Sequence, residues 1–235
     1  LSETKRSVRW GRVFLVATLC LVLVGTVSAE GFEYRLNETS GTTVFDYSGF
    51  GNDGTLNGGV TQGVTGVPKN DGLAYEWDGG NDNDDYISVP KSYDLTDLTV
   101  GAWVNPSDTG SDSHDIIGAR NSGSDIDQVF RLRINEPGEF EFRVNTGAGP
   151  TLTGSSPSTG NWYCAVGSFD DSADELHFNI YDLNGNSIYS DSTSYSGSIP
   201  DLTDTVVGRY SGDGFSAGEF AGKIDEPFVS SQFYS

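Results

Sequence analysis

The sequence predicts an all-β fold, a two-sheet antiparallel sandwich preceded by a hydrophobic N-terminal leader helix. Three observations carry this. Turn-forming pairs punctuate the chain at short intervals, at Asp53-Gly54, Asn57-Gly58, Asp71-Gly72, Asp78-Gly79, Pro137-Gly138 and Asn184-Gly185. Between them apolar and polar residues alternate with period two, as in Tyr86-Ile87-Ser88-Val89 and Leu98-Thr99-Val100-Gly101-Ala102-Trp103-Val104, the pattern of half-buried strands. After the leader there is no helical periodicity, and many short strands at this spacing build a sandwich.

The first element is the leader. Lys5, Arg6, Arg9 and Arg12 precede an uncharged apolar run from Val13 to Val24, and Val27-Ser28-Ala29 supplies small residues for cleavage. Residues 1–29 thus read as a secretory signal peptide with Glu30 as the first mature residue. The alternative is a retained membrane anchor, because Val13 to Ala29 stands at the short limit of what spans a bilayer. Both readings place the protein outside the cell, secreted or at the cell surface, with membrane contact only through a retained leader. Residues 30–235 are then one domain, long enough to bury a core without disulfide staples. Cys20 belongs to the leader, so cleavage would leave Cys164 alone, and stability is expected from the core and from an ion.

Charge narrows the partners. The chain carries a net −21, and losing the leader with its four basic residues and Glu3 leaves 33 acidic against 9 basic side chains, a net of −24. Such a surface repels phosphates, which excludes nucleic acid as a ligand. Beyond the leader the lysines are Lys69, Lys91 and Lys223, a balance that fits a salt-adapted, halophilic archaeal source.

Two hairpins follow from alternation. If Glu136-Pro137-Gly138 is a three-residue loop with Gly138 left-handed, Asn135 faces Glu139, Ile134 faces Phe140, Arg133 faces Glu141 and Leu132 faces Phe142. Apolar side chains then share one face, and Arg133 and Glu141 pair on the solvent side; a two-residue loop would set Ile134 against Glu141. The second hairpin runs Leu176 to Leu183, turns at Asn184-Gly185-Asn186 and returns over Ser187 to Tyr189, with Leu176, Phe178 and Ile180 inward.

Two segments frame the chain: Asp46-Tyr47-Ser48-Gly49-Phe50-Gly51-Asn52-Asp53-Gly54 near one end and Gly222-Lys223-Ile224-Asp225-Glu226 near the other. With Leu36-Asn37-Glu38-Thr39-Ser40-Gly41, Val100 to Val104 and Asn161-Trp162-Tyr163-Cys164-Ala165-Val166, and in this order from Phe32 to Ser231, the chain resembles the laminin-G-like branch of the concanavalin A-like jelly rolls. The resemblance implies a jelly-roll topology and extracellular binding or adhesion. It also implies a structural calcium ion. Hard cations take several oxygen ligands from a tight loop; Asp46 and Asn52 sit on such a loop, and Asp225 is where the last strand closes the site in many relatives. Asp46, Asn52 and Asp225 are therefore the candidate ligands. The competing reading is that Asp46 starts a turn by bonding its own backbone and Asp225 caps a strand end.

Other motifs carry less. The acidic loop Asp78 to Asp85 lacks the spacing and closing Glu of an EF-hand and reads as a solvated turn. Gly214-Phe215-Ser216-Ala217-Gly218 matches the nucleophile elbow, yet both His114 and His177 precede Ser216, and the elbow needs a later His and a helix. His114 reads as a solvated loop residue. Glu139-Phe140-Glu141 and Asp174-Glu175 are the nearest approach to a glycosidase acid array, without its third acid or a sugar platform beside it. Trp77, Trp103 and Trp162 read as core, while Tyr189, Tyr195 and Tyr210 are the candidates for stacking on sugar rings. The reading is a non-enzymatic binding or adhesion module for a glycan or a cell-surface protein, homo-oligomerisation being compatible with it. A structural subunit of a filament, surface layer or virion is the alternative, and glycoside hydrolysis is the weaker rival.

Overall fold

The computed structural model describes residues 30–68, 72–80, 84–89, 95–110, 112–121, 128–145, 149–200, 202–209 and 218–234. The leader, Cys20, Tyr210, Ser216 and the middle of the acidic loop lie outside the described residues. The chain begins with the short strands β1 (Gly31–Glu33), β2 (Thr43–Val44), β3 (Gly54–Asn57), β4 (Thr61–Thr65), β5 (Leu73–Asp78) and β6 (Tyr86–Val89). There follow β7 (Leu98–Pro106), β8 (His114–Arg120), β9 (Gln128–Ile134), β10 (Phe140–Val144), β11 (Thr151–Gly154) and β12 (Tyr163–Asp170). Last come β13 (Glu175–Asp182), β14 (Ser187–Ser194), β15 (Asp204–Val207) and β16 (Ala221–Ser230). No helix occurs among the described residues.

Two antiparallel sheets form the sandwich. The first runs β14-β13-β12-β7-β16-β5-β4, with β1 also paired to β16, and the second runs β11-β10-β9-β8-β15-β6-β3-β2. Alternation sorts side chains between them as expected: Phe140 and Phe142 of β10, Phe178 and Ile180 of β13, and Ile224 of β16 are fully buried in one core. Packing there is tight enough that a Cβ on Gly167 of β12 would enter the ring of Phe142.

Trp103, Trp162, Cys164 and Val166 are buried too, but not between the sheets. With Val67, Ala74 and Phe228 they form a second cluster on the outer face of the first sheet. This explains why β7 and β12 are buried at nearly every position: each has an apolar layer on both sides, as a central strand covered on both faces requires.

The β9–β10 hairpin has the expected register, with Phe140 opposite Ile134, Glu141 opposite Arg133 and Phe142 opposite Leu132. Its loop closes by Asn135 N donating to the Glu139 carbonyl at 2.8 Å, and Gly138 is left-handed at φ +101°. The solvent placement of the charged pair is corrected, because the side chains of Arg133 and Glu141 are only 15% and 8% exposed. The second hairpin is present as β13 and β14, its turn held by Asp182 Oδ1, which accepts from Asn184 N and Asn186 N.

β1 joins the two ends of the domain. It pairs with β16 from Gly31↔Ser230 to Glu33↔Phe228, and Tyr34 N then donates to the Pro227 carbonyl at 3.0 Å. On its other side Tyr34 bridges to Asp46. Tyr34 thus links the Asp46 loop to the last strand, one residue beyond the second framing segment.

Candidate functional site

The loop after β2 is built around the Asp46 carboxylate. Oδ1 accepts from Glu33 N at 3.0 Å and Ser48 N at 2.9 Å; Oδ2 accepts from Ser48 Oγ at 2.7 Å and Asn52 N at 2.9 Å. A carboxylate has about four acceptor positions, and protein donors fill them all. Asn52 is buried, with Nδ2 donating to the Gly31 carbonyl at 2.6 Å and its own carbonyl accepting from Tyr34 Oη at 2.8 Å. Asp225, also buried, accepts from Val67 N at 3.0 Å and ties that turn to β16. The structure brings Asp46 and Asn52 together and gives Asp225 a bond to a different turn. In these contacts the three residues act as acceptors and donors that shape backbone.

That scaffold displays something the sequence reading passed over. Because Asp46 points inward, its neighbours Phe45 and Tyr47 point out, as period two demands, and Phe50 stands at the tip of the turn. They are 51%, 47% and 38% exposed. Among the described residues, Ile188 is the remaining large hydrophobic side chain exposed to this degree. Three of the four large hydrophobic side chains exposed to this degree among the described residues thus fall within six residues of one loop, and exposed apolar surface concentrated in one place is a feature of binding sites. The guanidinium of Arg35 lies over the Tyr47 ring, 4.4 Å from its centroid, which fixes that ring. Glu38 Oε1 accepts from Phe45 N at 3.1 Å and Asp53 Oδ1 from Asp46 N at 2.8 Å, so both flanks of the platform are anchored. Half-buried Glu33 sits beside it, its carboxyl pushed up by burial and by Asp46, against the pull of Arg35.

The second cluster of interest lies on the outer face of the second sheet. Arg131 grips Asp115 with both Nε and Nη2. Arg133 Nε donates to Glu141 Oε1 at 2.7 Å, Asn135 Nδ2 reaches Oε2 at 3.3 Å, and Arg143 Nε stands 3.8 Å from Oε1. Gly118 and Val206, aligned with Arg131 on neighbouring strands, are buried as well, so this stretch of the face is covered. Burial alone would push the Glu141 carboxyl up, but the hydrogen bond and charge of Arg133, with Asn135 and Arg143, hold it below the ordinary range.

A family model for the concanavalin A-like lectin/glucanases superfamily, of laminin G type, matches residues 79–233. The chain belongs to this superfamily. Its fold is similar to domain 4 of AbnA, an extracellular GH43 arabinanase from Geobacillus stearothermophilus, solved with arabinotriose, at 18% identity and a TM-score of 0.56 over 86% of this chain and 92% of that one. It is similar also to the CBM40 of the Ruminococcus gnavus IT-sialidase bound to α2,3-sialyllactose, at 14% identity and a TM-score of 0.51 over 69% and 91%. Trypanosoma rangeli sialidase in complex with sialic acid gives 13% identity and a TM-score of 0.61 over 90% of this chain but 32% of that one, so the chain spans about a third of that enzyme. At these identities the likeness concerns the fold. Among curated protein sequences none matches.

Several residues of this superfamily member sit differently from their sequence reading. His114 is the first residue of β8 and is buried, with Nδ1 3.0 Å from the Glu219 carbonyl. The acidic loop is solvated at Asp78 and Asp84, but Asp85 is 5% exposed. Gly59 N donates to Asp85 Oδ1, Asp85 N donates to Glu219 Oε1 at 2.8 Å, and Trp77 Nε1 donates to the Asp85 carbonyl at 3.1 Å. Oxygens of Asp84, Asp85 and Glu219 lie within 4.8 Å of one another; Glu219 comes from 134 residues away, and nothing in the sequence announces it. Tyr189 packs its ring on Gly154 and Phe178 and donates to the Thr153 carbonyl at 3.0 Å, while Tyr195 packs on Phe169 and accepts from Asn145 Nδ2 at 3.1 Å. Both tyrosines close the sandwich edge.

Proposed function

We propose that this chain is an extracellular, non-catalytic glycan-binding module that holds its ligand against Phe45, Tyr47 and Phe50. The observation that carries the reading is the exposure of three rings on a turn whose backbone is pinned by Asp46. Aromatic faces suit the apolar faces of sugar rings, and a pre-formed platform loses little entropy on binding. The neighbours named above bind arabinotriose and sialyllactose, and the leader sequence supports export.

The acids support a binding role over a hydrolytic one. A glycosidase acid needs a raised pKa, whereas Glu141 is held low by its arginines. Asp115 is clamped by Arg131. Glu175 is 41% exposed and accepts from Ser192 Oγ, a surface contact.

Each ring has roughly half of its ~150–250 Å² outside the fold. A sugar face covering ~50 Å² of it contributes ~1.2 kcal/mol at ~25 cal/mol per Å², close to tenfold in affinity. A glycan array probed with the wild type and with Phe45→Ser/Tyr47→Ser/Phe50→Ser tests this. The wild type is expected to bind and the triple variant to lose the signal while keeping its melting temperature. Binding unaffected by the triple change refutes the platform.

A further inference from the structure

The platform is ringed by negative charge. Glu33 lies beside the inward-turned Asp46, Glu38 accepts from Phe45 N and from Tyr75 Oη, and Asp53 accepts from Asp46 N, so three carboxylates besides Asp46 stand on the loop that carries the rings. Arg35 is the cation drawn into the same group, and it lies over Tyr47. Around this stands a domain whose net charge is strongly negative.

From this balance we infer that the platform takes a neutral, hydroxyl-rich polysaccharide and rejects uronate-, sialate- or sulfate-bearing glycans; the inference rests on the glycan-binding reading. An anionic sugar would be desolvated beside carboxylates that cannot move away, since each is held by the loop's own backbone or packed beside it, and like charges across an interface oppose binding. Neutral sugar hydroxyls, in contrast, donate to carboxylate oxygens, and hydrogen bonds to charged acceptors are the stronger kind. Arg35, the cation at the platform, is engaged on the Tyr47 ring and outnumbered by the acids around it, and two further arginines are placed elsewhere. Arg131 and Arg133 have 8% and 15% of their side chains exposed and grip Asp115 and Glu141. These two guanidinium groups are thus spent on the fold's own acids, and the exposed site combines three rings with Arg35 and a larger number of carboxylates.

Affinity gel electrophoresis of the full chain is the test, with neutral polymers (arabinan, xylan, β-glucan, mannan) and acidic ones (polygalacturonate, alginate, polysialic acid) at low and at molar salt. The expected result is retardation by at least one neutral polymer, changed less than threefold by salt and abolished in Phe45→Ser/Phe50→Ser, with every acidic polymer at least tenfold weaker. Glu33→Lys, which has no hydrogen bond to break in the loop, should narrow that gap. Aromatic-dependent retardation by an acidic polymer as strong as by any neutral one overturns this inference and leaves the glycan reading standing. No retardation by any polymer, including the case in which phosphatidylcholine vesicles are bound instead, overturns both.

Discussion

Replacing Arg131 with Met removes the guanidinium from a carboxylate that is almost wholly inside the protein. Asp115 has 1% of its side chain exposed and Arg131 8%, and two parallel N–H···O bonds join them. Breaking one half of such a pair strands a buried charge, which costs about 3–5 kcal/mol. Removing both charges, with Arg131→Met and Asp115→Leu together, should recover most of that loss, because the attraction in a buried pair is largely offset by desolvation. For a domain of this size ~1 kcal/mol shifts the melting temperature by roughly 2–4 °C, so the single variant should melt about 6–20 °C lower. Urea titration at unchanged m-value gives the free energies, and the four-way cycle gives the coupling. A single-variant loss below ~1 kcal/mol, or a loss erased by molar salt, would show the pair behaving as an exposed one and refute the covered face.

Three further outcomes are expected. Asp46→Ala deletes an acceptor for three loop and strand amides; at about 1 kcal/mol net per bond the loss should be roughly 2–4 kcal/mol, equal with calcium or chelator present if the carboxylate serves the backbone alone, whereas a wild-type melt that drops in chelator while Asp46→Asn is indifferent would assign a cation to the loop. Glu33 is raised above its ordinary value of 4.5, so the fold holds its proton more tightly than the unfolded chain does; its contribution is full below 4.5 and is lost as pH rises through the folded value. Glu33→Gln should remove that slope from melting temperature against pH, and a slope that persists unchanged would assign it to another group. With a net of −24 after leader removal, self-repulsion opposes the compact state at low ionic strength, so the melting temperature should climb from millimolar to molar sodium chloride; a flat response would remove the salt-adapted reading.

The hairpin over Glu136-Pro137-Gly138 was legible because alternation and a left-handed glycine determine register locally: a slip of one residue would put Glu141 against Ile134. Which faces are wet was not legible, since period two says that Arg133 and Glu141 share a side and nothing about what covers it. The same limit applies to Trp103 and Trp162, recognisable as buried yet placed on the outer face of the first sheet. Asp85 and Glu219 meet across 134 residues, beyond any local pattern. The Asp46 loop shows that a recognised motif can carry a second feature beside the one that draws attention. Its acid was the conspicuous residue, but once that acid is turned inward to cap backbone, strand alternation sends Phe45 and Tyr47 outward, and that signal was present in the sequence.

The most direct test of a glycan platform on this loop is amide shift mapping by NMR, titrating the wild-type chain with the neutral oligosaccharide that binds most strongly on the array. The account predicts perturbations confined to residues 33–53, led by the amides of Phe45, Tyr47 and Phe50. Perturbations centred instead on β9 and β10, around Arg131 and Arg143, or absent at saturating ligand, would contradict it.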